Sequence, residues 1–238
     1  MRKLIFSIML LVAQLAFCQF SDEQLYMAYM SSDLSLWGQY IDAQDWNTMS
    51  HPQRLRLINY EYGYIPVLAD QNRMEEAAHY LQQFNNHLSQ EQSYLPKATY
   101  IAYRSASHAY AYLLDKSKIF SEGMQSFKTA KQALLSDPNN PIALTLKGNV
   151  DFYAPKLFGG DKKQAMELFL QAESIMLRDT AFRYLWNLPA IQLCIAQCYE
   201  KSGDIPAAIR QAEKTLQQHP HFIYIRQTYL PQLKRRNE

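Results

Sequence analysis

The chain has 238 residues, of which 48% are hydrophobic and 19% are charged. A chain of this length and composition can bury a core, and it predicts one globular domain. Its 24 Lys and Arg residues nearly balance its 22 Asp and Glu residues. Because nucleic-acid binding depends on an excess of positive charge facing phosphates, this balance argues against a nucleic-acid partner.

The first residues, MRKLIFSIMLLVAQLAFC, have the basic head, apolar run and small final residues of an export signal. We predict that residues 1–18 are cleaved and that the mature protein lies in the periplasm or cell envelope. A retained membrane anchor is the first alternative, but spanning takes about 20 apolar residues and Gln14 interrupts this run. Lipid attachment to Cys18 is the second alternative, disfavoured by the large Phe17 before it.

The remaining chain has the composition of a helical protein. Glycine is scarce and alternation of β-branched residues is nearly absent, whereas Ala, Leu, Gln, Glu, Lys and Tyr dominate. Turn signals divide it into antiparallel helix pairs. In chain order, we predict helices at 22–31 with 33–46, 52–69 with 73–88, 95–118 with 122–136, 141–153 with 162–177, 189–201 with 205–218, and a last one near 222–235. The fold class is therefore all-α, with one domain over residues 19–238.

Two predicted turns contain glycine. In the first, Pro155 disfavours helix at the residue before it, and Gly159 and Gly160 permit the reversal. Asp161 is then expected to cap the next helix, with Gln164 as its reciprocal partner in a capping box. A phosphate-binding P-loop would need a preceding strand and a Gly-Lys-Ser/Thr ending, which this segment does not have.

The second glycine turn lies in IQLCIAQCYEKSGDIPAAIRQAEKTLQQHP, a segment that resembles a tetratricopeptide repeat. That repeat is a helix–turn–helix unit of about 34 residues with the pattern W-x2-L-G-x2-Y…A-x3-F…P. Tyr199, Ala208 and Pro220 match this pattern, whereas Gln192 and Ala212 stand in place of its Trp and Phe.

The segment DPNNPIALTLKGNVDFYAPKLFGGDKKQAMELFLQAESI resembles the same repeat when the glycine turn is treated as an insertion. The resemblance implies an irregular tetratricopeptide-like α-solenoid of antiparallel helix pairs, with its best repeats at 141–177 and 189–220. The structural positions that it implies are Gly148, Ala165, Phe169, Ala172, Tyr199, Gly203, Ala208 and Pro220.

In that family the first helix of each pair lines a concave groove that binds a protein or peptide. Tyrosine is frequent here, with 17 copies, and forms stripes on predicted first helices. The resemblance also implies that two amides face the groove and hydrogen-bond a peptide backbone. The predicted groove residues are Tyr60, Tyr64, Tyr100, Tyr103, Tyr110, Asn149 and Gln197. The alternative is that the tyrosine stripes fill the core, as aromatic residues at helical spacing usually do.

The sequence contains no catalytic motif and no metal-ligand spacing, so we expect neither an enzyme nor a cofactor. Cys194 and Cys198 lie four residues apart on one predicted helix. This spacing favours two buried thiols over a disulfide, although export makes a bridge conceivable.

These observations favour an exported scaffold that binds a protein or peptide without chemistry, in an oligomeric state left open. The alternative is a binder of small apolar solutes, because the glycine-turn repeat also resembles periplasmic repeat proteins associated with TRAP transporters.

Overall fold

The computed structural model describes residues 20–237, so the predicted signal peptide and Cys18 lie outside the described residues. Within that range the chain forms 11 α-helices and no strand. The helices are α1 Asp22–Met30, α2 Ser35–Asp42, α3 His51–Asp70, α4 Met74–Gln90, α5 Lys97–Leu114, α6 Glu122–Ser136, α7 Pro141–Tyr153, α8 Lys162–Met176, α9 Asn187–Lys201, α10 Ile205–Gln218 and α11 Leu230–Asn237. The predicted all-α fold is confirmed.

Consecutive helices pack as pairs: α3 with α4, α5 with α6, α7 with α8, and α9 with α10. The first helices of neighbouring pairs also touch, because α5 contacts both α3 and α7. The first helices α3, α5 and α7 therefore form one row, which we call the inner row, and the second helix of each pair contacts the first helix of the next. None of the helices described between residues 20 and 237 is long and apolar enough to cross a bilayer.

The two ends of the stack meet. Met30 at the end of α1 shares a core cluster with Ala196, Ala208 and Phe222 from the C-terminal helices. A reciprocal amide pair between buried Asn59 and Asn187 joins α3 to α9, with N···O distances of 2.9 and 3.0 Å. The row of first helices is therefore curled so that α1 and α3 contact the C-terminal segment.

The turn between α7 and α8 has the predicted glycine chemistry. Gly159 has φ +89°, in the left-handed region, and a Cβ on Gly160 would lie 1.9 Å from the carbonyl oxygen of Ala154. The side chain of Asp161 accepts hydrogen bonds from the backbone N–H groups of Lys163 and Gln164. The cap is confirmed without the reciprocal half of a capping box, because the Asp161 N–H donates to the Asp151 carbonyl oxygen at 3.0 Å.

Candidate functional site

A cluster of aromatic side chains lines the inner row of helices. They come from α1, α3, α5, α7 and the segment just before α9. We call this surface the aromatic cleft and define it by Tyr29, Tyr62, Tyr110, Tyr153 and Trp186, together with Asn149 and Cys194.

Ring contacts join these residues across the fold. The Tyr62 ring stacks on Tyr110 at a centroid distance of 5.8 Å and lies 5.6 Å from Trp186. The Trp186 ring lies 5.9 Å from Tyr29. Gly63 permits this approach, because a Cβ there would meet the Trp186 ring at 2.6 Å. The cleft thus has walls made of ring faces and edges from segments far apart in sequence.

A proline in α3 leaves one backbone carbonyl oxygen free to accept a side-chain hydrogen bond in the cleft. Pro66 lies inside α3 and has no N–H to donate to the carbonyl oxygen of Tyr62, four residues earlier. The Tyr110 hydroxyl donates to that oxygen instead, at 2.9 Å. The Asn149 amide donates in turn to the Tyr62 hydroxyl at 3.1 Å. These bonds fix the ring planes of Tyr62 and Tyr110 relative to each other.

Tyr153 is the most exposed residue of the aromatic cleft. The residue is 70% exposed, yet desolvation raises the pKa of its hydroxyl, and the nearby Cys194 thiol raises it further. Tyr153 in turn contributes to the raised pKa of Tyr29, Tyr62 and Tyr110. Tyr153 is therefore an accessible ring whose hydroxyl lies close to the other cleft residues, and we call its position the mouth of the cleft.

The cleft is uncharged at neutral pH. Burial is the main cause of the raised pKa of its four tyrosine hydroxyls, and it raises the pKa of the Cys194 thiol to about 12. Cys194 and Cys198 are both free, as the sequence predicted. Among the described residues, no group of three or more His, Cys, Asp or Glu side chains is arranged to hold a metal ion. The walls therefore suit an apolar or aromatic ligand better than an ion.

Three predicted groove residues lie in the core. Tyr60 is fully buried, and Tyr64 and Tyr103 are buried to 4% and 3% exposure. The Tyr60 ring packs edge-on against Trp37 and Tyr40, and Tyr103 donates to Asn59 at 3.1 Å. These side chains match the core alternative, because they offer no surface to a partner. Tyr62 is also buried, at 6% exposure, so its ring backs the cleft. The accessible rings of the cleft are those of Tyr29, Tyr110, Tyr153 and Trp186.

The other four predicted groove residues, Tyr100, Tyr110, Asn149 and Gln197, are half-buried. Tyr110 and Asn149 belong to the aromatic cleft, whereas Tyr100 donates to Gln92 at the start of α5. No partner is present, so the groove role stays a prediction for all of them.

The positions taken from the repeat pattern mostly mark close helix contacts. A Cβ on Gly148 would meet the Phe169 ring at 2.6 Å, so α7 and α8 approach closely there. Gly203 has φ +87° at the turn between α9 and α10. Ala165, Phe169, Ala172 and Ala208 are fully buried, Tyr199 is half-buried and Pro220 is exposed.

The sequence did not reveal four cleft residues, which are Tyr29, Tyr62, Tyr153 and Trp186. One local signal was present, since Asn149 and Tyr153 are four residues apart on a first helix and share a face. Tyr62 lies two residues from both Tyr60 and Tyr64, so it points to a different face of α3 from the stripe that those two residues form.

A buried polar pair was also missed. Fully buried Glu61 lies 2.7 Å from Nδ1 of His87 and also accepts a hydrogen bond from Gln83. Glu61 and His87 lie on different helices, and only the packing of α3 on α4 brings them together. This pair is a contact between helices and lies outside the aromatic cleft.

The fold and the site together define an all-α protein of stacked helix pairs, in which aromatic side chains from several helices meet at one surface. Among solved structures, the chain is similar to the HusA haemophore from Porphyromonas gingivalis, with a TM-score of 0.51 and 19% sequence identity. The match covers 78% of this chain and 89% of that one. At this identity the likeness shows a shared helical fold.

No family model matches the chain, and no curated protein does. Membership of the tetratricopeptide family therefore stays a prediction.

Proposed function

We propose that the protein is an exported carrier of a flat, largely apolar aromatic molecule of the tetrapyrrole class, held in the aromatic cleft. The observation that carries the proposal is the convergence of uncharged aromatic side chains from five segments on one surface. Ligand sites of proteins are typically concave and apolar, with a few placed polar groups. Here those polar groups are the tyrosine hydroxyls and the Asn149 amide.

The structural neighbour supports the choice of ligand class. HusA is a haemophore, a protein that carries haem, and it shares the helical fold over most of both chains. A planar macrocycle offers two faces to stack against rings such as Tyr153 and Trp186, which favour offset or edge-on contacts. An exported carrier is also consistent with the signal peptide predicted at residues 1–18.

Closure of the stack favours a small ligand over a long peptide. A peptide-binding solenoid uses an open groove along its inner row of helices, whereas here α1 packs against the C-terminal helices. The Tyr26 hydroxyl reinforces that contact by bonding His219 Nδ1 at 2.6 Å. The protein-partner groove stays a prediction, and the geometry supports it less well.

Binding in this proposal needs no chemical step. The ligand leaves water and stacks on aromatic rings of the cleft. The hydrogen bonds among Tyr110, Tyr62 and Asn149 hold these side chains in place before the ligand binds. A preorganised site loses less side-chain entropy on binding than a mobile one. Exposed Tyr153, at the mouth, would cover one face or edge of the bound ligand.

The test is a titration with haemin and, separately, with metal-free protoporphyrin IX. We expect both to perturb the porphyrin absorption band and to quench Trp186 fluorescence, because stacking does not require iron. Tyr153→Ala is expected to weaken binding of both roughly fivefold, since one exposed aromatic contact is worth on the order of 1 kcal/mol. Tyr94→Ala is the matched control, because Tyr94 is 59% exposed and lies in the turn between α4 and α5.

Two results would contradict the proposal. One is the absence of binding of either porphyrin by a chain that melts cooperatively. The other is an equal loss of affinity in Tyr153→Ala and Tyr94→Ala, which would place the ligand elsewhere on the surface.

A further inference from the structure

We propose that one end of the stack docks on an anionic lipid surface through two adjacent turns. These turns join α5 to α6 and α7 to α8, and their apolar residues form what we call the apolar tip: Phe120, Leu157 and Phe158. Phe120 is 75% exposed and Leu157 is 88% exposed. The rings of Phe120 and Phe158 lie 6.1 Å apart, edge to face, so the two turns form one surface.

The turn that carries Leu157 is held rigidly. Gly159 lies against the Phe127 ring, which a Cβ on the glycine would meet at 2.8 Å. Gly160 lies against the Ala154 carbonyl, and the Asp161 N–H donates to Asp151. A connection between two packed helices does not itself need an exposed leucine. The close packing of the two glycines holds the backbone of this turn against the helices, while the Leu157 side chain projects into solvent.

Lysines surround the apolar tip. Lys116, Lys118, Lys156, Lys162 and Lys163 lie in or next to the two turns and are all exposed. Ammonium groups beside protruding apolar residues are the pattern of proteins that lie on anionic membranes, where each lysine near the surface contributes about 1 kcal/mol.

The acidic side chains of the same turns are engaged within the fold. Asp115 accepts hydrogen bonds from the backbone and hydroxyl of Ser117, and its other carboxylate oxygen lies 3.7 Å from the Lys118 ammonium group. Asp161 caps α8. Glu122 lies 2.6 Å from His108 Nδ1. Lysines outnumber acidic residues around the tip, so its charge complements phosphate head groups.

The shape favours a bilayer over a protein partner. A stable protein interface needs a broad, well-packed patch, whereas the tip is two narrow turns whose largest side chains project into solvent. Such side chains can insert among lipid head groups and acyl chains without a matching pocket. The lysine stems can lie along the apolar region while their charges stay in the head-group layer.

The apolar tip adjoins the mouth of the aromatic cleft. Tyr153 ends α7, four residues before Leu157, and Tyr110 lies one turn before the end of α5. Docking would therefore place the cleft mouth at the membrane surface. The docking inference itself stands on the exposure and charge of the tip and does not depend on the ligand proposed above.

The experiment is co-sedimentation of the chain, recovered from the soluble fraction after export, with vesicles. One set contains phosphatidylethanolamine with phosphatidylglycerol, and the other phosphatidylcholine alone. We expect salt-sensitive binding to the anionic set and weak binding to the neutral set. The double variant Phe120→Ser/Leu157→Ser is expected to partition at least about tenfold more weakly, because two apolar side chains lose their burial.

Leu135→Ser is the matched control. Leu135 is 73% exposed, but it lies near the far end of α6, away from the apolar tip. A second variant, Lys118→Glu/Lys156→Glu, is expected to lose binding to anionic vesicles while its porphyrin affinity in solution stays unchanged. Porphyrin titration of the same variants thus separates failure of docking from failure of the carrier proposal.

The proposal of docking on lipid would be overturned if the wild-type protein bound neither vesicle set. It would also be overturned if the double variant and Leu135→Ser lost equal amounts of vesicle binding. A third contradicting result has two parts. The wild-type protein binds native membranes but not protein-free vesicles, and the tip variants lose the binding to native membranes. That result would identify a membrane protein as the partner.

Discussion

The N-terminal and C-terminal halves of the stack build the same helix-pair architecture from different side chains. Between α1 and α5 the fully buried side chains include three aromatic rings, Trp37, Tyr60 and Phe84. Between α7 and α10 one aromatic ring, Phe169, is fully buried, and alanines are the most frequent fully buried residues. These are Ala143, Ala165, Ala172, Ala196, Ala208 and Ala212.

The difference sets how each half tolerates change. Aromatic rings fill wide gaps between helices and carry polar atoms that need partners, as when Trp37 Nε1 donates to the Leu25 carbonyl oxygen at 2.8 Å. Small residues instead let helices approach closely and leave no room for an added side chain. We therefore expect large-to-small substitutions to lower the stability of the N-terminal half most. We expect small-to-large substitutions to lower the stability of the C-terminal half most.

The largest effect is expected for Trp37→Ala. It empties a fully buried position among Tyr29, Tyr60 and Trp186 and leaves the Leu25 carbonyl without its donor. We expect a loss of about 3–5 kcal/mol in the free energy of unfolding, measured in urea. Half-buried Trp46 gives the control, and a Trp46→Ala loss as large as that of Trp37→Ala would contradict the contrast.

The second effect comes from Ala208→Leu in α10. Ala208 is fully buried in the cluster that also contains Met30 and Phe222, so the added atoms must displace the packed ends of the stack. Overpacking of this kind costs about 1–3 kcal/mol, measured by the same urea titration. Gln217→Leu places the same side chain at an exposed position of α10 and should change stability little. A neutral Ala208→Leu would show that the C-terminal half has unfilled space.

The smallest effect concerns His219, which helps to close the stack. Desolvation lowers its pKa to about 4, from an ordinary value of 6.5, so the folded protein holds this ring neutral. Above pH 6.5 both folded and unfolded states carry neutral His219. Below it the unfolded state takes up a proton first, so stability falls as the pH drops towards 4.

Between about pH 7.5 and pH 5.5 the expected loss is on the order of 1 kcal/mol. Urea titrations at the two values measure it. His219→Gln should remove this component of the pH dependence, and His79→Gln, at an exposed position, should leave it in place. An unchanged pH dependence in His219→Gln would mean that the ring is not held neutral by the fold.

The bounds of a helix were predictable where capping residues next to it in the sequence set its ends. The helices predicted at 122–136, 141–153 and 205–218 have those bounds in the structure. Asn140 caps α7 and Asp204 caps α10 through their side-chain oxygens, which bond backbone N–H groups two or three residues away. The helix predicted to reach residue 118 ends at Leu114, because Asp115 bonds Ser117 and begins a tight turn.

The site was less predictable, because periodicity shows that a helix has an aromatic stripe without showing which neighbour covers it. Tyr60 and Tyr64 were predicted to face a groove, but α2 and α4 pack over them. Tyr62, between them, faces the inner row. Only Tyr110 and Asn149 among the predicted groove residues belong to the aromatic cleft.

The sequence by itself determined the helical class, the helix pairs, the glycine turns and the free thiols, since each depends on local propensity, capping or spacing. Only the tertiary structure decided the closure of the stack, the buried Glu61–His87 pair and the aromatic cleft. Asn59 and Asn187 are 128 residues apart in the chain and bond each other at 2.9 Å. Contacts of that kind leave no periodic trace, because they depend on how every intervening helix pair is oriented.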